Sequence, residues 1–326
     1  MSVLVTGGKG FIGAIMIRKL LALGEKVVCL EPKSSPGRLA DIADKVIMVA
    51  GDASKIEDVA ATIKKHDVKR IAHMVFTIST ANPELIHQEV SVMIMGCCNV
   101  YEAAKQAGIK RVIFPSSIHR HGAQWLHGEV GLNEESPSLA LTIYGVGKHL
   151  NETVAHEYNT RLGMSIVSIR IPAVYGPGAR VGARGVNLPM MAAAMGSEVV
   201  MPYPATEKQC LAHVDDVAEV GVRLLMIDKP PHEVYEIGGH TLSYGQMAEL
   251  AKTFNPRASF VFGPPGLRSD LPYLIDNSRL RQDLGFEHRS IRDGYLDTIE
   301  SFRKEAREQG AKETLTQKPT RDQLTR

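Results

Sequence analysis

The sequence predicts an α/β fold, a doubly wound parallel sheet with a smaller C-terminal lobe, and three observations carry that prediction. Short β-branched runs alternate with helical patterns through the first half of the 326 residues, a glycine-rich turn follows the first run, and the alternation loosens after Tyr175-Gly176-Pro177-Gly178. A chain of this length holds one large domain or a core domain with a smaller companion. Hydrophobic residues at 44% and charged residues at 23% sit at the globular average, which excludes disorder, collagen-like repeats or a coiled coil for the whole chain. The 38 Lys plus Arg against 36 Asp plus Glu leave a formal charge of +2, too balanced for a nucleic-acid or anionic-membrane surface.

Strands are expected at residues 3–6, 27–30, 46–49, 70–75, 111–115 and 165–169, because β-branched residues suit a pleated, half-buried surface. Helices are expected at 12–23, 56–65, 84–107 and 144–162, where apolar residues recur at the three-to-four spacing of a helix lying on a sheet. Such repeats close as right-handed crossovers. Residues 1–176 therefore form the sheet domain, with a returning segment at about 210–238 that carries a helix at 214–227 and a strand at 233–237. Residues 177–209 and 239–305 are assigned to the smaller, substrate-binding lobe, with 243–254 and 279–284 among its segments and a last helix at 291–307. The tail 309–326 is polar, has little to bury and is expected to be poorly ordered.

Met1-Ser2-Val3-Leu4-Val5-Thr6-Gly7 reaches glycine before the apolar stretch of a signal peptide could form. No apolar run approaches the ~18 residues of a membrane span, so a cytoplasmic location and no membrane partner are expected. Cys29, Cys97, Cys98 and Cys210 lack metal-ligand spacing and read as buried free thiols, so no metal is expected.

The first strand runs into Thr6-Gly7-Gly8-Lys9-Gly10-Phe11-Ile12-Gly13 and then a helix. Glycines at 7, 10 and 13 let the turn tighten, let backbone N–H groups approach a pyrophosphate, and let the helix pack closely on its strand. Eighteen residues beyond Gly13 the next strand ends in Glu31, the place for a carboxylate on the adenosine ribose. A 2′-phosphate there would meet like charge, which favours NAD over NADP, although Lys33 and Arg38 stand nearby. Asp52-Ala53, after the third strand, is placed to take the adenine amino group, or to cap the helix beginning at Ile56.

Tyr144-Gly145-Val146-Gly147-Lys148 opens a helix, and a spacing of four sets both side chains on one face. A phenol with a pKa near 10 becomes a general acid/base at neutral pH only where a cation favours its phenolate; Lys148 and a positive nicotinamide supply that, and Lys148 can also hold the nicotinamide ribose. Arg111-Val112-Ile113-Phe114-Pro115-Ser116-Ser117 sets hydroxyls at the carboxyl end of a strand, the edge where open α/β sheets bind ligands. Ser117 is placed to orient a substrate oxygen.

With these residues in view, residues 1–305 resemble the extended short-chain dehydrogenase/reductase family, the NAD-dependent epimerase/dehydratase group, a Rossmann fold. The likeness covers the glycine turn, Gly51-Asp52, His73, Asn99 through Ala104, Arg111 through Ser117 with Gly122, Tyr144 through Lys148, Arg170, Val174-Tyr175-Gly176-Pro177-Gly178, and His213-Val214-Asp215-Asp216. It implies Tyr144 as catalytic acid/base, Lys148 as its partner, and Ser117 as the substrate-oxygen hydroxyl. It also implies NAD contacts at Gly7, Gly10, Phe11, Ile12, Gly13, Glu31, Asp52, Ala53, Met74, Tyr144, Lys148 and Ile171, and a homodimer through the helices at 84–107 and 144–162.

Four departures bear on the substrate. Members acting on nucleotide-diphospho-sugars often place Asn before Val-Tyr-Gly-Pro and Arg four residues before the His of His-Val; this chain has Ala173 and Gln209. That removes one donor and one cation from the diphosphate site, unless Arg180 or Arg184 compensates. An Asn that usually serves a water-mediated proton relay is replaced by Met93, three residues before Gly96. Ser117 is followed by Ile118-His119 rather than the Asp-Glu of dehydratases, which disfavours elimination of water; His119 is a candidate substrate contact, or a loop residue with ordinary partners. Met74-Val75-Phe76 stands where small residues are common and implies a more filled pocket near the cofactor.

The leading expectation is thus an NAD-dependent oxidoreductase acting on a secondary alcohol or ketone of a small polyhydroxylated compound, a sugar or sugar acid. A nucleotide-diphospho-sugar epimerase with tightly held NAD is the alternative. A dinucleotide-sensing module without chemistry is a third reading, disfavoured by the retained Ser117, Tyr144 and Lys148.

Overall fold

A computed structural model of the chain describes residues 1–75, 83–179 and 185–309. Phe76, Arg180, Arg184 and the tail lie outside the described residues, apart from its first residue, which ends the last helix. The chain divides into two compact units; the first comprises Met1–Pro172, Val214–Gly239 and Asp270–Glu287, the second Ala173–His213, His240–Ser269 and the rest of the chain.

In chain order the strands are β1 (Ser2–Thr6), β2 (Lys26–Glu31), β3 (Val46–Ala50), β4 (Arg70–His73), β5 (Arg111–Ser117), β6 (Ser165–Ile171), β7 (Ala173–Tyr175), β8 (Glu198–Val200), β9 (Lys208–His213), β10 (Val234–Glu236), β11 (His240–Ser243) and β12 (Ser259–Val261). The helices are α1 (Phe11–Ala22), α2 (Ile56–His66), α3 (Ile86–Val90), α4 (Gly96–Gln106), α5 (Ile143–Leu162), α6 (Leu188–Met195), α7 (Val214–Met226), α8 (Tyr244–Phe254), α9 (Ser278–Leu284) and α10 (Ile291–Gln309).

The first unit is a seven-stranded parallel sheet in the order β10-β6-β5-β4-β1-β2-β3. Strand order reverses between β1 and β4, so the loops after these strands diverge and open a crevice at their carboxyl ends. One face of the sheet offers Leu4, Val28, Ile71, Val112 and Phe114, alternate residues of their strands, to Val59 and Ile63 of α2 and Val100, Tyr101 and Ala104 of α4; α1 and α7 pack together on the other.

Two expected elements are revised. Strand β4 ends at His73 rather than 75, because Met74 turns over the glycine loop, its backbone against Gly7. The helix expected at 84–107 is interrupted by a π-helical turn at Ser91–Met95 between α3 and α4. There the Met93 carbonyl accepts a hydrogen bond from Asn151 Nδ2 at 2.9 Å, an outside donor of the kind that accompanies an altered helical ladder.

Segment 279–284, expected in the smaller lobe, is α9 of the first unit: Asn277 Nδ2 bonds the Ile237 carbonyl at 3.0 Å and Arg279 the Val234 carbonyl at 3.2 Å. The second unit has a three-stranded sheet β11-β9-β7, a parallel pair β12-β8, and helices α6, α8 and α10 around Tyr175, Met190, Met247 and Tyr295. Ser243 and Gln246 form a capping box on α8. No helix among the described residues is long and apolar enough to cross a membrane.

Candidate active site

The glycine turn sits at the strand-order reversal. Gly7 has φ +71°, and a Cβ there would meet the Met74 carbonyl carbon at 2.7 Å; a Cβ on Gly13 would overlap the Gly7 carbonyl oxygen. Gly10 N–H donates to Gly7 O at 3.0 Å and Gly10 forms the N-cap of α1. Phe11 and Ile12 begin α1, whose N-terminus carries no side-chain cap and no acidic first-turn residue, leaving the dipole's positive end to an anion. Glu31, at the end of β2, accepts the Lys9 N–H at 2.8 Å, which puts a carboxylate beside the turn. Gly8, not singled out from the sequence, meets side chains instead of backbone: a Cβ would stand 2.5 Å from Ile17 Cδ1 and 2.6 Å from Cys29 Sγ.

Asp52 accepts the Ser54 N–H at 2.9 Å and its hydroxyl at 2.7 Å, closing the turn before α2 instead of capping the helix, whose N-cap is Lys55. Ala53 beside it is buried, and Asn99 holds the same turn through the Ser54 carbonyl at 2.6 Å. His73, fully buried, lies 2.7 Å from Thr6 Oγ1 through Nδ1. Burial, with the Lys148 charge, pushes its pKa down to about 3, so His73 is a neutral clamp between β1 and β4.

Ser117, Tyr144 and Lys148 converge where β5 ends and α5 begins. Thr142 caps α5 by accepting the Gly145 N–H at 3.1 Å. The two glycines between Tyr144 and Lys148 are sites of close approach: a Cβ on Gly145 would meet the His119 carbonyl oxygen at 2.5 Å, and one on Gly147 would overlap the Met93 side chain. Lys148 is 1% exposed, donates to the Pro115 carbonyl at 2.6 Å, and holds its ammonium 5.3 Å from the Tyr144 ring centroid. Burial pushes the Lys148 pKa down to about 8, against Cys97 and Glu152, which raise it. Burial pushes the Tyr144 phenol up; its hydrogen bond with Ser117 pulls it down, and Glu89 raises it further. His119 packs edge to face on Tyr144 with centroids 5.0 Å apart, and its Nδ1 stands 2.9 Å from Ser117 Oγ. Ile171 pairs with Ser117 across β6 and β5.

Beneath these residues lies an ion network that the sequence reading did not assemble. Ser116 donates to Glu152 Oε1 at 2.5 Å; Arg170 grips both Glu152 oxygens at 2.9 and 2.8 Å and reaches Glu236 at 2.9 Å. His121 Nε2 lies 2.7 Å from Glu236 Oε1, and Arg120 3.5 Å from Glu152. Burial alone would raise the Glu152 pKa, but Arg170, Arg120 and Ser116 outweigh it and hold the carboxyl below its ordinary range. The available signal was spacing: Glu152 follows Lys148 by four, extending the face that Tyr144 begins. Glu89 carries no such signal, since only folding brings it to Tyr144.

Gln209 and Ala173 lie in the second unit, on β9 and β7. Gln209 is 1% exposed and its amide nitrogen has no hydrogen-bond partner among the described residues. The amide oxygen of Asn187, buried at the N-cap of α6, is in the same condition, and that residue was not picked out from the sequence.

A parallel sheet with a glycine turn at its switch point and a Ser, Tyr and Lys at its carboxyl edge defines a nucleotide-dependent oxidoreductase class. Residues 3–238 match the NAD-dependent epimerase/dehydratase family, and the chain belongs to that family, an enzyme family whose cofactor is NAD. Among curated proteins it is 25% identical over 321 residues to dTDP-4-dehydro-6-deoxy-D-allose reductase of Streptomyces bikiniensis, covering 94% of this chain and 97% of that one. It is 24% identical to UDP-glucose 4-epimerase of Vibrio cholerae, covering 92% and 95%. Among solved structures, UDP-glucose 4-epimerase of Thermus thermophilus in complex with NAD superposes with TM-score 0.80 at 23% identity, covering 93% of this chain and 99% of that one.

Proposed function

We infer that the enzyme transfers a hydride between NAD and a secondary alcohol or ketone of a small polyhydroxylated substrate, of sugar or sugar-acid type. The observation that carries this reading is the buried Tyr144 hydroxyl, bonded to Ser117 with Lys148 across its ring. In the oxidative direction the Tyr144 oxygen, as phenolate, would take the substrate O–H proton, and NAD bound at the glycine turn would supply the hydride acceptor. Ser117 orients the oxygen, and Lys148 holds its position through the Pro115 carbonyl. Gly7, Gly10 and Gly13 let the pyrophosphate approach, with Phe11, Ile12, Ala53, Met74 and Ile171 as neighbouring cofactor contacts. Glu31 takes the ribose, and Asp52 the adenine.

Gln209 and Ala173, where nucleotide-sugar enzymes often have a cation and a donor, favour a substrate without a diphosphate. A nucleotide-diphospho-sugar epimerase is the second reading, supported by relatives named for UDP- and dTDP-sugars at 24% and 25% identity. Cofactor content and a substrate panel separate the two. The first reading expects protein that binds NAD reversibly and reduces it with a free polyol, sugar or sugar acid. Near-stoichiometric NAD retained through purification, together with binding of a UDP- or dTDP-sugar by calorimetry, would sink it in favour of the epimerase.

The working assembly in this reading is a cytoplasmic homodimer. Ile143, Val146 and Leu150 form an exposed apolar row on α5, with Ile86 and Met95 exposed on the neighbouring helical segment, a surface that association would cover. Val146→Glu is expected to turn a sedimenting dimer into a monomer; an unchanged sedimentation coefficient, or a monomeric parent, removes this interface.

A further inference from the structure

Ser117 is flanked on both sides by residues of the same buried network. Before it, the Ser116 hydroxyl donates to Glu152 Oε1 at 2.5 Å. After it, Arg120 Nε stands 3.5 Å from Glu152 Oε2, and His121 Nε2 stands 2.7 Å from Glu236 Oε1. Arg170 ties the two carboxylates together, gripping both oxygens of Glu152 and reaching Glu236 with its remaining nitrogen. None of these side chains is more than 9% exposed. Lys148, one turn before Glu152 on the same face of α5, donates to the Pro115 carbonyl at 2.6 Å. Helix α5 thus holds β5 at two successive residues, Pro115 and Ser116, immediately before Ser117.

The net stability gained from a buried ion network is small, because desolvation offsets attraction. What such a network supplies is direction. A carboxylate gripped at both oxygens by a planar guanidinium is fixed in orientation, and a hydroxyl bonded to that carboxylate is fixed with it. We propose that Glu152 is a positioning residue of the hydride-transfer site, setting the place of Ser117 Oγ through Ser116 on one flank and Arg120 on the other. The proposal rests on the hydride-transfer reading above, in which Ser117 orients the substrate oxygen. Glu152 acts through these neighbours and takes no part in the chemistry itself. The leverage is large because the substrate oxygen must meet Ser117 and Tyr144 together, and a misplacement of about 1 Å costs up to about 10²-fold in rate.

Ser116→Ala cuts the link between Glu152 and β5 while leaving every charge of the network in place. With the panel compound that the wild-type enzyme turns over, kcat is expected to fall by about 10-fold, well within that range, with KM and NAD affinity unchanged. Glu152→Gln is expected to lower kcat at least as far. In a double-mutant cycle the two losses do not add, and the double variant stays within about two-fold of Glu152→Gln alone, since both cut one path. Full kcat in Ser116→Ala, a loss confined to KM, or additive losses overturn the proposal. Hydrogen exchange of the full NAD-loaded chain needs no substrate and uses Ser116→Ala alone, so it decides even where Glu152→Gln does not fold. Peptides covering 116–122, which include the His119 N–H bonded to Ser117 Oγ and the Gly122 N–H bonded to the His119 carbonyl, are expected to exchange about 10-fold faster than in the parent, the lower end of what one hydrogen bond to a charged group contributes. Peptides from β1 and β2 are expected to be unchanged. An even rise across the first unit, as a merely structural role would give, or no rise at 116–122, overturns the proposal. Full kcat in Ser116→Ala beside an inactive Tyr144→Phe removes the positioning role alone, whereas an active Tyr144→Phe removes the hydride-transfer reading beneath it.

Discussion

Tyr144→Phe is expected to cut turnover of the active panel compound by about 10²- to 10⁴-fold, the range that a positioned acid–base group supplies, while NAD affinity stays near that of the parent. The substitution deletes one oxygen from a ring that is 8% exposed, so the packing against His119 and below Lys148 persists. What is lost is the group that exchanges a proton with the substrate, and with it the bond to Ser117. Stopped-flow reduction of NAD and a separate cofactor titration read the two quantities. A kcat within a few-fold of the parent would take Tyr144 out of the chemistry; a matching collapse of NAD binding would mean that its role is to hold the cofactor.

The second large effect falls on stability. Arg170→Met leaves Glu152 and Glu236, 9% and 0% exposed, without their shared guanidinium, and breaking a buried ion pair from one side costs about 3 to 5 kcal/mol. Chemical denaturation measures it. Linkage gives the result a pH signature. The folded-state pKa of Glu152 is held below its ordinary 4.5, so its contribution is full above that value and is lost as the pH falls through the lowered one. Without Arg170, the buried carboxyls take up protons more readily, so the gap between the variant and the parent narrows in acid. A loss under about 1 kcal/mol would show that the network organises Ser116 and α5 without stabilising the fold, as happens where desolvation cancels attraction.

Much of the first unit was legible because its signals are local. A strand followed by a turn whose glycines at 7 and 13 lie where a Cβ would strike backbone, then Glu31 at the next strand's end, is written in consecutive residues. So is the one-turn spacing of Tyr144 and Lys148 on α5. The strands of the second unit were not read: β7, β8 and β12 are three residues each, too short for a period to show, and β8 pairs with β12 some sixty residues on. The placement of α9 also escaped, since the bonds that hold it to the first unit come from distant carbonyls.

The sequence by itself determined the class of chemistry, because a phosphate turn and a Tyr/Lys pair depend on backbone freedom and helical repeat, both properties of neighbouring residues. Only the tertiary structure decided how those groups are tuned. The burial that lowers the Lys148 pKa, the Glu89 side chain that opposes the Tyr144 phenolate, the Asn151 amide that occupies the Met93 carbonyl and the His119 ring against Ser117 all arise where separate elements meet. Desolvation and hydrogen bonding act through distance in space, and no spacing along the chain encodes them.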